Sequence, residues 1–311
     1  MSASERLIAI QQQWKARQRL KRWILSVFLV LVGGLTGGAL TLWAIRAPIK
    51  NPSYLNVPWR GPLPPVSDIA AGHNTAIPGW HLIWDDEFDS RRLTQSLWDI
   101  MNYHYPYNQQ LQFYASRNVT VSDGALHVLV NKQPFDGFSY TSGMVTTKTT
   151  QSFLYGMIVI SAKLPAGQGL FPAIWMLPAT GRSTLPEVDI MEAIGRHPHH
   201  VYMTLHYNGP HGGVINIGAP YSGPNFSKNY HRYALIWTPT KLVWLVDGVV
   251  RYQESQYVPH KPLYLLMNVA VGGSWPGAPT ATDHWPQQLS VQYVRVYQSG
   301  AAPKFPPQLS Q

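Results

Sequence analysis

Most of the chain after residue 78 consists of short runs rich in β-branched and aromatic residues, separated by turn signals. Aspartate precedes glycine at 123–124 and 247–248, a dipeptide that favours the tight turns between antiparallel strands. No stretch after residue 46 has the apolar period of a long amphipathic helix. The pattern predicts an all-β sandwich rather than a parallel α/β sheet. The predicted strands are Leu126–Val130, Met157–Leu164, Val201–His206, Tyr233–Trp237, Leu242–Val246, Leu263–Val271 and Val291–Tyr297.

The N-terminal part of the chain has a different character. Trp23–Ile45 contains no charged side chain and is long enough to cross about 30 Å of hydrocarbon at about 1.5 Å per residue. Residues 1–22 carry six basic side chains and one acidic one, which places this tail in the cytoplasm by the positive-inside rule. A cleaved signal peptide is the alternative, but its apolar region is usually about 7–15 residues and ends in an Ala-x-Ala-like site. We therefore predict an uncleaved, single-pass anchor in the cytoplasmic membrane, with everything after it periplasmic or extracellular.

The remaining boundaries follow from composition. Residues 46–77 are rich in proline and predict a semi-rigid linker, residues 78–299 one folded domain, and residues 300–311 a disordered tail. The formal charge is +9, but residues 1–22 hold +5 of it, so the basicity belongs to the membrane-flanking tail and no nucleic-acid partner is predicted. There is no cysteine, so an exported domain must be held together by its own core.

Three carboxylates lie within six residues of an apolar segment, Glu187-Val188-Asp189-Ile190-Met191-Glu192, in a chain with only 13% charged residues. The flanking apolar residues indicate a strand against a core, where unpaired charge is costly, rather than a solvated acidic turn. Strict alternation puts Glu187 and Asp189 on one face and turns Glu192 away. A β-bulge at Ile190–Met191 returns Glu192 to the acidic face.

With that bulge, the two glutamates are four strand steps apart, about 13 Å between Cα atoms. Their side chains can then bring the carboxyl groups within about 5–5.5 Å of each other. At this separation one carboxylate attacks a sugar carbon while the other protonates the leaving oxygen, whereas an inverting enzyme needs a wider gap.

Six ordered blocks between about Trp80 and Gln298 resemble the family 16 glycoside hydrolases, specifically the laminarinase-like branch of endo-β-1,3-glucanases. The blocks are Leu82–Asp89, Lys163–Pro178, Glu187–Glu192, Thr204–His206, Asn268–Gly277 and Tyr293–Tyr297. The resemblance implies a β-jelly roll of two curved antiparallel sheets with a sugar-binding cleft on the concave face. Carried over to the matching positions, Glu187 is the nucleophile, Glu192 the general acid and then base, and Asp189 the residue that hydrogen-bonds and tunes its neighbours.

The resemblance also implies substrate-binding residues. Trp175 and Trp275 match cleft positions, where large apolar side chains cover the flat C–H faces of sugar rings. His206 matches a histidine facing the catalytic carboxylates, able to bond a sugar or Glu192. Asn108 begins the segment that reads N-Q-Q-L-Q-F-Y here and often N-N-E-L-Q-Y-Y in the family.

No cofactor is predicted to be required. Many members of the family bind a structural Ca²⁺ through an aspartate whose position is Gln292 here, and a neutral amide is a weaker ligand for a hard cation. The histidines at 197, 199, 200 and 211 match no zinc pattern. Other departures from the family pattern are Phe171, Val159 and Ser161, so polar contacts away from the cleavage point have changed.

These features predict a membrane-anchored, retaining endo-glycosidase that hydrolyses β-1,3 or mixed β-1,3/1,4 glucan, with a polysaccharide as its partner. A transglycosylase or exopolysaccharide-trimming enzyme is one alternative, because a tether suits work at the site of polymer export. A non-catalytic β-glucan-binding module is the other, against which the presence of all three acids argues.

Overall fold

The computed structural model describes residues 77–300 apart from 105–106, 182 and 210–212. The predicted cytoplasmic tail, the predicted transmembrane helix, almost all of the linker and almost all of the C-terminal tail lie outside these described residues. Within the described part of the chain, no helix has both the length and the hydrophobicity that crossing a bilayer requires.

The described residues form seventeen β-strands and one short 3-10 helix, Ser116–Asn118. The strands are β1 (Trp80–Asp86), β2 (Asp99–Ile100), β3 (Gln112–Tyr114), β4 (Val119–Ser122), β5 (Ala125–Val130), β6 (Tyr140–Ser142), β7 (Met144–Thr146), β8 (Gly156–Lys163), β9 (Leu170–Pro178), β10 (Glu187–Glu192), β11 (His200–Asn208), β12 (Val214–Ser222), β13 (His231–Thr238), β14 (Lys241–Val246), β15 (Val249–Glu254), β16 (Leu263–Val271) and β17 (Gln287–Ser299).

Two antiparallel sheets pack face to face as a jelly-roll sandwich. One sheet has the order β15-β14-β13-β8-β17-β5-β4, with β1 also paired to β17. The other sheet has the order β12-β11-β10-β9-β16-β7-β2, and it places the acidic strand β10 between β11 and β9. A separate pair, β3 and β6, is parallel. The predicted all-β sandwich is confirmed.

The sheets meet over one large core to which both contribute buried aliphatic side chains, such as Ile158 and Leu235 from one and Ile174 and Val269 from the other. The predicted turns are also present. Asp247 and Gly248 have φ of 52° and 77°, the left-handed backbone that a tight turn between β14 and β15 requires. Hydrophobic burial between two sheets is therefore the main source of stability in a domain without disulfides.

Candidate active site

Strand β10 contains a β-bulge at its centre. Against β9, Asp189 lies opposite Trp175, but Met191 lies opposite Ile174, so one extra residue is accommodated on β10. Ile190 and Met191 are both buried in the core between the sheets. The bulge predicted from the spacing of the acids is therefore confirmed, and it turns Glu192 to the same face as Glu187 and Asp189.

The bulge is anchored from the opposite sheet. A bulge interrupts the backbone ladder and leaves carbonyl groups in need of another donor. The carbonyl oxygen of Asp189 accepts a hydrogen bond of 2.9 Å from Nε1 of Trp244, a fully buried residue of β14. This bond fixes the irregular backbone at the point where the three acids converge.

A groove of about 660 Å³ runs over the face of the sheet to which the acids point. This is within the usual size range of sites for small ligands. All seven residues predicted for catalysis or substrate binding line it. They are Glu187, Asp189, Glu192, Trp175, His206, Trp275 and Asn108. The structure thus brings together residues that lie up to 167 positions apart in the sequence.

His206 connects the acids to the neighbouring strands. Its Nε2 lies 3.1 Å from Oδ2 of Asp189, and the two groups form an ion pair when the imidazole is protonated. Its Nδ1 lies 2.5 Å from Oδ1 of Asn216 on β12. Glu192 instead accepts a hydrogen bond of 3.2 Å from the hydroxyl of Thr204. The sequence suggested that His206 bonds either a sugar or Glu192. In the structure, the carboxylate that His206 contacts is that of Asp189 and not that of Glu192.

The side chains of Glu187, Asp189, Glu192 and His206 influence one another's pKa values. Burial raises the pKa of Glu187 to about 8, and the charge of Asp189 acts in the same direction. Burial also raises the pKa of Glu192 well above its usual range, helped by the charges of Asp189 and Glu187. Burial raises the pKa of Asp189 while its contact with His206 opposes this, and the same contact raises the pKa of His206 to about 9.

Protons are therefore retained in the groove at neutral pH. A cationic His206 stabilises a neighbouring carboxylate, whereas the remaining negative charges favour a neutral carboxylic acid. Glu192 experiences the charges of both other acids, so it is the carboxyl group that keeps its proton when Glu187 is ionised. Once Glu187 is ionised, the two glutamates are one carboxylate and one carboxylic acid, the combination that a two-carboxylate reaction at a glycosidic bond requires.

Aromatic side chains form a wall beside Glu192. The ring of Trp275 is 42% exposed and meets Tyr202 at 4.8 Å and Phe171 at 5.4 Å between centroids, both edge-on. Tyr202 lies opposite Glu192 in the ladder between β10 and β11. Sequence reasoning missed Tyr202, although its position two residues before Thr204 places it on the same face of that strand.

The loop that contains Asn108 closes the groove from another side. Asn108 has a φ of 56°, and its carbonyl oxygen accepts a hydrogen bond of 3.3 Å from the backbone N–H of Ser274. This bond ties the Asn108 loop to the loop that presents Trp275. Asn216 and Asn268 also contact predicted site residues. No local motif marks Asn216, whereas Asn268 begins the block Asn268–Gly277 but was not predicted to be a site residue.

The position at which the family resemblance implies calcium carries no carboxylate. The side-chain oxygen of Gln292 accepts a hydrogen bond of 2.9 Å from the hydroxyl of Ser161, so this pair offers amide and hydroxyl groups and no carboxylate. Among the described residues, the donor atoms of Glu187, Asp189 and His206 lie within 4.8 Å of one another. All three line the candidate site described above, and the ion pair joins Asp189 to His206.

A jelly roll with two glutamates and an aspartate on one bulged strand, facing an aromatic-lined groove, has the fold and site of a glycoside hydrolase. Comparison of the sequence with known families identifies the glycoside hydrolase family. Residues 99–295 match the family described as Glycosyl hydrolases family 16, and the chain belongs to this family. The resemblance inferred from the six sequence blocks is thereby confirmed.

Known relatives agree with this assignment. The chain is 35% identical over 262 residues to a protein named Beta-glucanase from Rhodothermus marinus, covering 74% of this chain and 90% of that protein. It is 35% identical over 292 residues to Glucan endo-1,3-beta-glucosidase A1 of Niallia circulans, covering 79% of this chain but only 42% of that protein. The solved laminarinase from Rhodothermus marinus is 33% identical, with a TM-score of 0.66 over 71% of this chain and 98% of that structure.

Proposed function

We propose that this chain is an endo-acting β-glucanase that hydrolyses β-1,3 or mixed β-1,3/1,4 linkages with retention of anomeric configuration. The observation that carries the proposal is the bulge of β10, which places Glu187, Asp189 and Glu192 in one groove. The names of the relatives support the substrate class. Besides the two proteins above, the chain is 30% identical to Endo-1,3-1,4-beta-glycanase EglC of Rhizobium meliloti, covering 69% of this chain and 51% of that protein.

In the first step, the carboxylate of Glu187 attacks the anomeric carbon and forms a glycosyl ester. The bond between that carbon and the glycosidic oxygen breaks, and the carboxylic acid of Glu192 gives its proton to the departing oxygen. The raised pKa of Glu192 suits this role because the proton remains available at neutral pH. The aromatic wall beside Glu192 then contacts the sugar that leaves.

In the second step, the carboxylate of Glu192 removes a proton from water. The water oxygen bonds to the anomeric carbon as the ester bond to Glu187 breaks, which returns both glutamates to their starting protonation states. Two inversions at one carbon give net retention. The imidazolium of His206, held by Asp189, lies near Glu187 and stabilises its carboxylate before the glycosyl ester forms and after it breaks.

The direct test is to incubate the purified full-length chain with laminarin, lichenan and curdlan. We expect reducing oligosaccharides from laminarin or lichenan, with new chain ends that are first seen in the β configuration by NMR. Ends that appear first in the α configuration contradict retention. Longer or rejoined chains with little reducing sugar favour a transglycosylase, and binding without turnover favours a glucan-binding module.

We also propose that residues 23–45 anchor the enzyme in the cytoplasmic membrane, with the catalytic domain outside. The support is the uncharged length of Trp23–Ile45 and the basic tail before it. Washing membranes with alkaline carbonate is expected to leave the full-length protein in the pellet, and protease added to the outer side is expected to digest the catalytic domain. Recovery of the intact chain in the wash argues against an anchor.

A further inference from the structure

Behind the aromatic residues of the groove, a chain of side-chain hydrogen bonds has a fixed direction. It begins at Nε1 of Trp175, which can only donate and lies 2.8 Å from Oδ1 of Asn268. This contact orients the amide, so Nδ2 of Asn268 donates to the hydroxyl oxygen of Tyr114 at 3.0 Å. That hydroxyl in turn donates to Oε1 of Gln110 at 3.5 Å. The indole N–H thus determines which atom of Gln110 is the acceptor.

A second chain reaches the same atom from the backbone. The N–H of Val271 can only donate, and it lies 2.7 Å from Oε1 of Gln112. Nε2 of Gln112 therefore faces the other way and donates to Oε1 of Gln110 at 2.7 Å. Gln112 is completely buried, so turning its amide would leave a buried donor and a buried acceptor unpaired.

Both series of hydrogen bonds end on Oε1 of Gln110, so Nε2 of the same amide remains for a ligand. Gln110 lines the groove, and its Nε2 donates no hydrogen bond within the part of the chain that the structure describes. An amide nitrogen carries two donors and no acceptor. Nε2 of Gln110 is therefore a hydrogen-bond donor available to the groove, and two series of hydrogen bonds set its orientation.

The location of Gln110 indicates which part of a substrate it faces. Tyr114 and Asn268 connect it to β16, which is separated from the acidic strand by β9. Neighbouring strands lie about 4.8 Å apart, so β16 is about 10 Å from β10. Gln110 therefore lies to one side of the acidic strand, in a part of the groove that suits a sugar unit further along the bound chain.

We propose that Gln110 is a specificity-determining residue that donates a hydrogen bond to an oxygen of a sugar unit remote from the cleaved bond. The ligand class is an acceptor oxygen of the polysaccharide that can offer only lone pairs in this position, such as a ring or bridging ether oxygen. The proposal rests on the proposed function, because it assigns a role within the same groove.

The variant Gln110→Glu separates this role from a structural one. Glutamate keeps an acceptor oxygen for Gln112 and Tyr114, so the buried chains survive and the melting temperature is expected to stay within about 2 °C of the wild type. Only the atom facing the groove changes, from a donor nitrogen to an acceptor oxygen. A purely structural Gln110 predicts unchanged kinetics.

We expect KM for long laminarin fragments to rise about tenfold, which corresponds to about 1.4 kcal/mol, with kcat within about twofold of the wild type. Fragments too short to reach Gln110 are expected to have the same KM in both proteins. Gln253→Glu, an exposed position on the other sheet, introduces the same charge outside the groove and is expected to leave both constants unchanged.

Equal KM values for Gln110→Glu and the wild type across all fragment lengths would overturn the proposal, as would a rise that is the same for short and long fragments. If the wild type releases no sugar, the proposed function fails separately. Direct binding of laminari-oligosaccharides to the wild type and to Gln110→Glu, by calorimetry, then decides the inference, and equal affinities refute it.

Discussion

Replacement of Glu187 by alanine is expected to lower kcat on laminarin by at least about 10⁴-fold, because removal of an enzymatic nucleophile leaves only binding and electrostatic effects to accelerate the reaction. KM is expected to change much less, since Trp175, Trp275 and the Asn108 loop keep their contacts with the sugar chain. Initial rates on laminarin for the wild type and the variant measure both constants.

The product formed with azide distinguishes the nucleophile from the acid. In Glu187→Ala the missing carboxylate leaves room for a small anion on the α face of the anomeric carbon. With an activated aryl β-glucoside, azide is therefore expected to restore turnover and to give the α-glycosyl azide. In Glu192→Ala, azide attacks the glycosyl ester on Glu187 from the other face, and the expected product is the β-glycosyl azide.

Glu254→Gln is the matched control for loss of a carboxylate. Glu254 lies at the end of β15 on the opposite sheet and accepts a bond from the hydroxyl of Tyr252, so its replacement alters no group in the groove. Activity of this variant is expected to equal that of the wild type. If Glu187→Ala retains more than about a tenth of the wild-type kcat, or gives the β-glycosyl azide, then Glu187 is not the nucleophile.

Residue spacing alone predicted the part of the site that lies on strand β10, whereas Trp175, His206, Trp275 and Asn108 were predicted from the resemblance to the family. Glu187, Asp189 and Glu192 are spaced two and three residues apart, so they cannot all point to one face of a regular strand. An extra residue in the strand restores the shared face, and the spacing therefore predicts the bulge. The long strand β16 was predicted with its exact ends, Leu263–Val271, because a continuous apolar run between turn signals is typical of a strand buried on both faces.

Strand β12 was missed for a physical reason. It contains Gly218 and Pro220, two residue types that argue against a strand interior. The structure places it at the edge of its sheet, where proline is tolerated because no further strand needs its N–H. Gly218 is required there because a Cβ would lie 2.1 Å from the carbonyl oxygen of Met203. Asn216, the hydrogen-bond partner of His206, lies on this strand and was therefore not predicted either.

The hydrogen-bond chains that orient Gln110 were also beyond local reasoning. They join residues that are adjacent only because β16 pairs with β9 and because the segment around Tyr114 packs against it. Sequence separation between Tyr114 and Asn268 is 154 residues, and no pattern in either segment specifies the other. Side-chain polarity was visible in the sequence, but the direction of each hydrogen bond depends on the sheet register.

Replacement of Glu192 by glutamine is expected to lower kcat on laminarin by about 10²- to 10⁴-fold, the range contributed by a positioned general acid. The loss depends on the leaving group. A dinitrophenolate needs no proton when it departs, so the first step with a dinitrophenyl glucoside is expected to stay fast. The second step still lacks its base, and a rapid burst of phenol followed by slow turnover is the expected time course.

The pH profile tests the same assignment independently. Glu192 acts as an acid only while protonated, so wild-type kcat/KM falls as the pH rises through its raised pKa, and this alkaline limb is expected to disappear in Glu192→Gln. The charge of Asp189 helps to raise that pKa, so Asp189→Asn is expected to move the limb to lower pH. An alkaline limb that persists unchanged in Glu192→Gln would mean that another group supplies the proton, and the roles assigned along β10 would have to be exchanged.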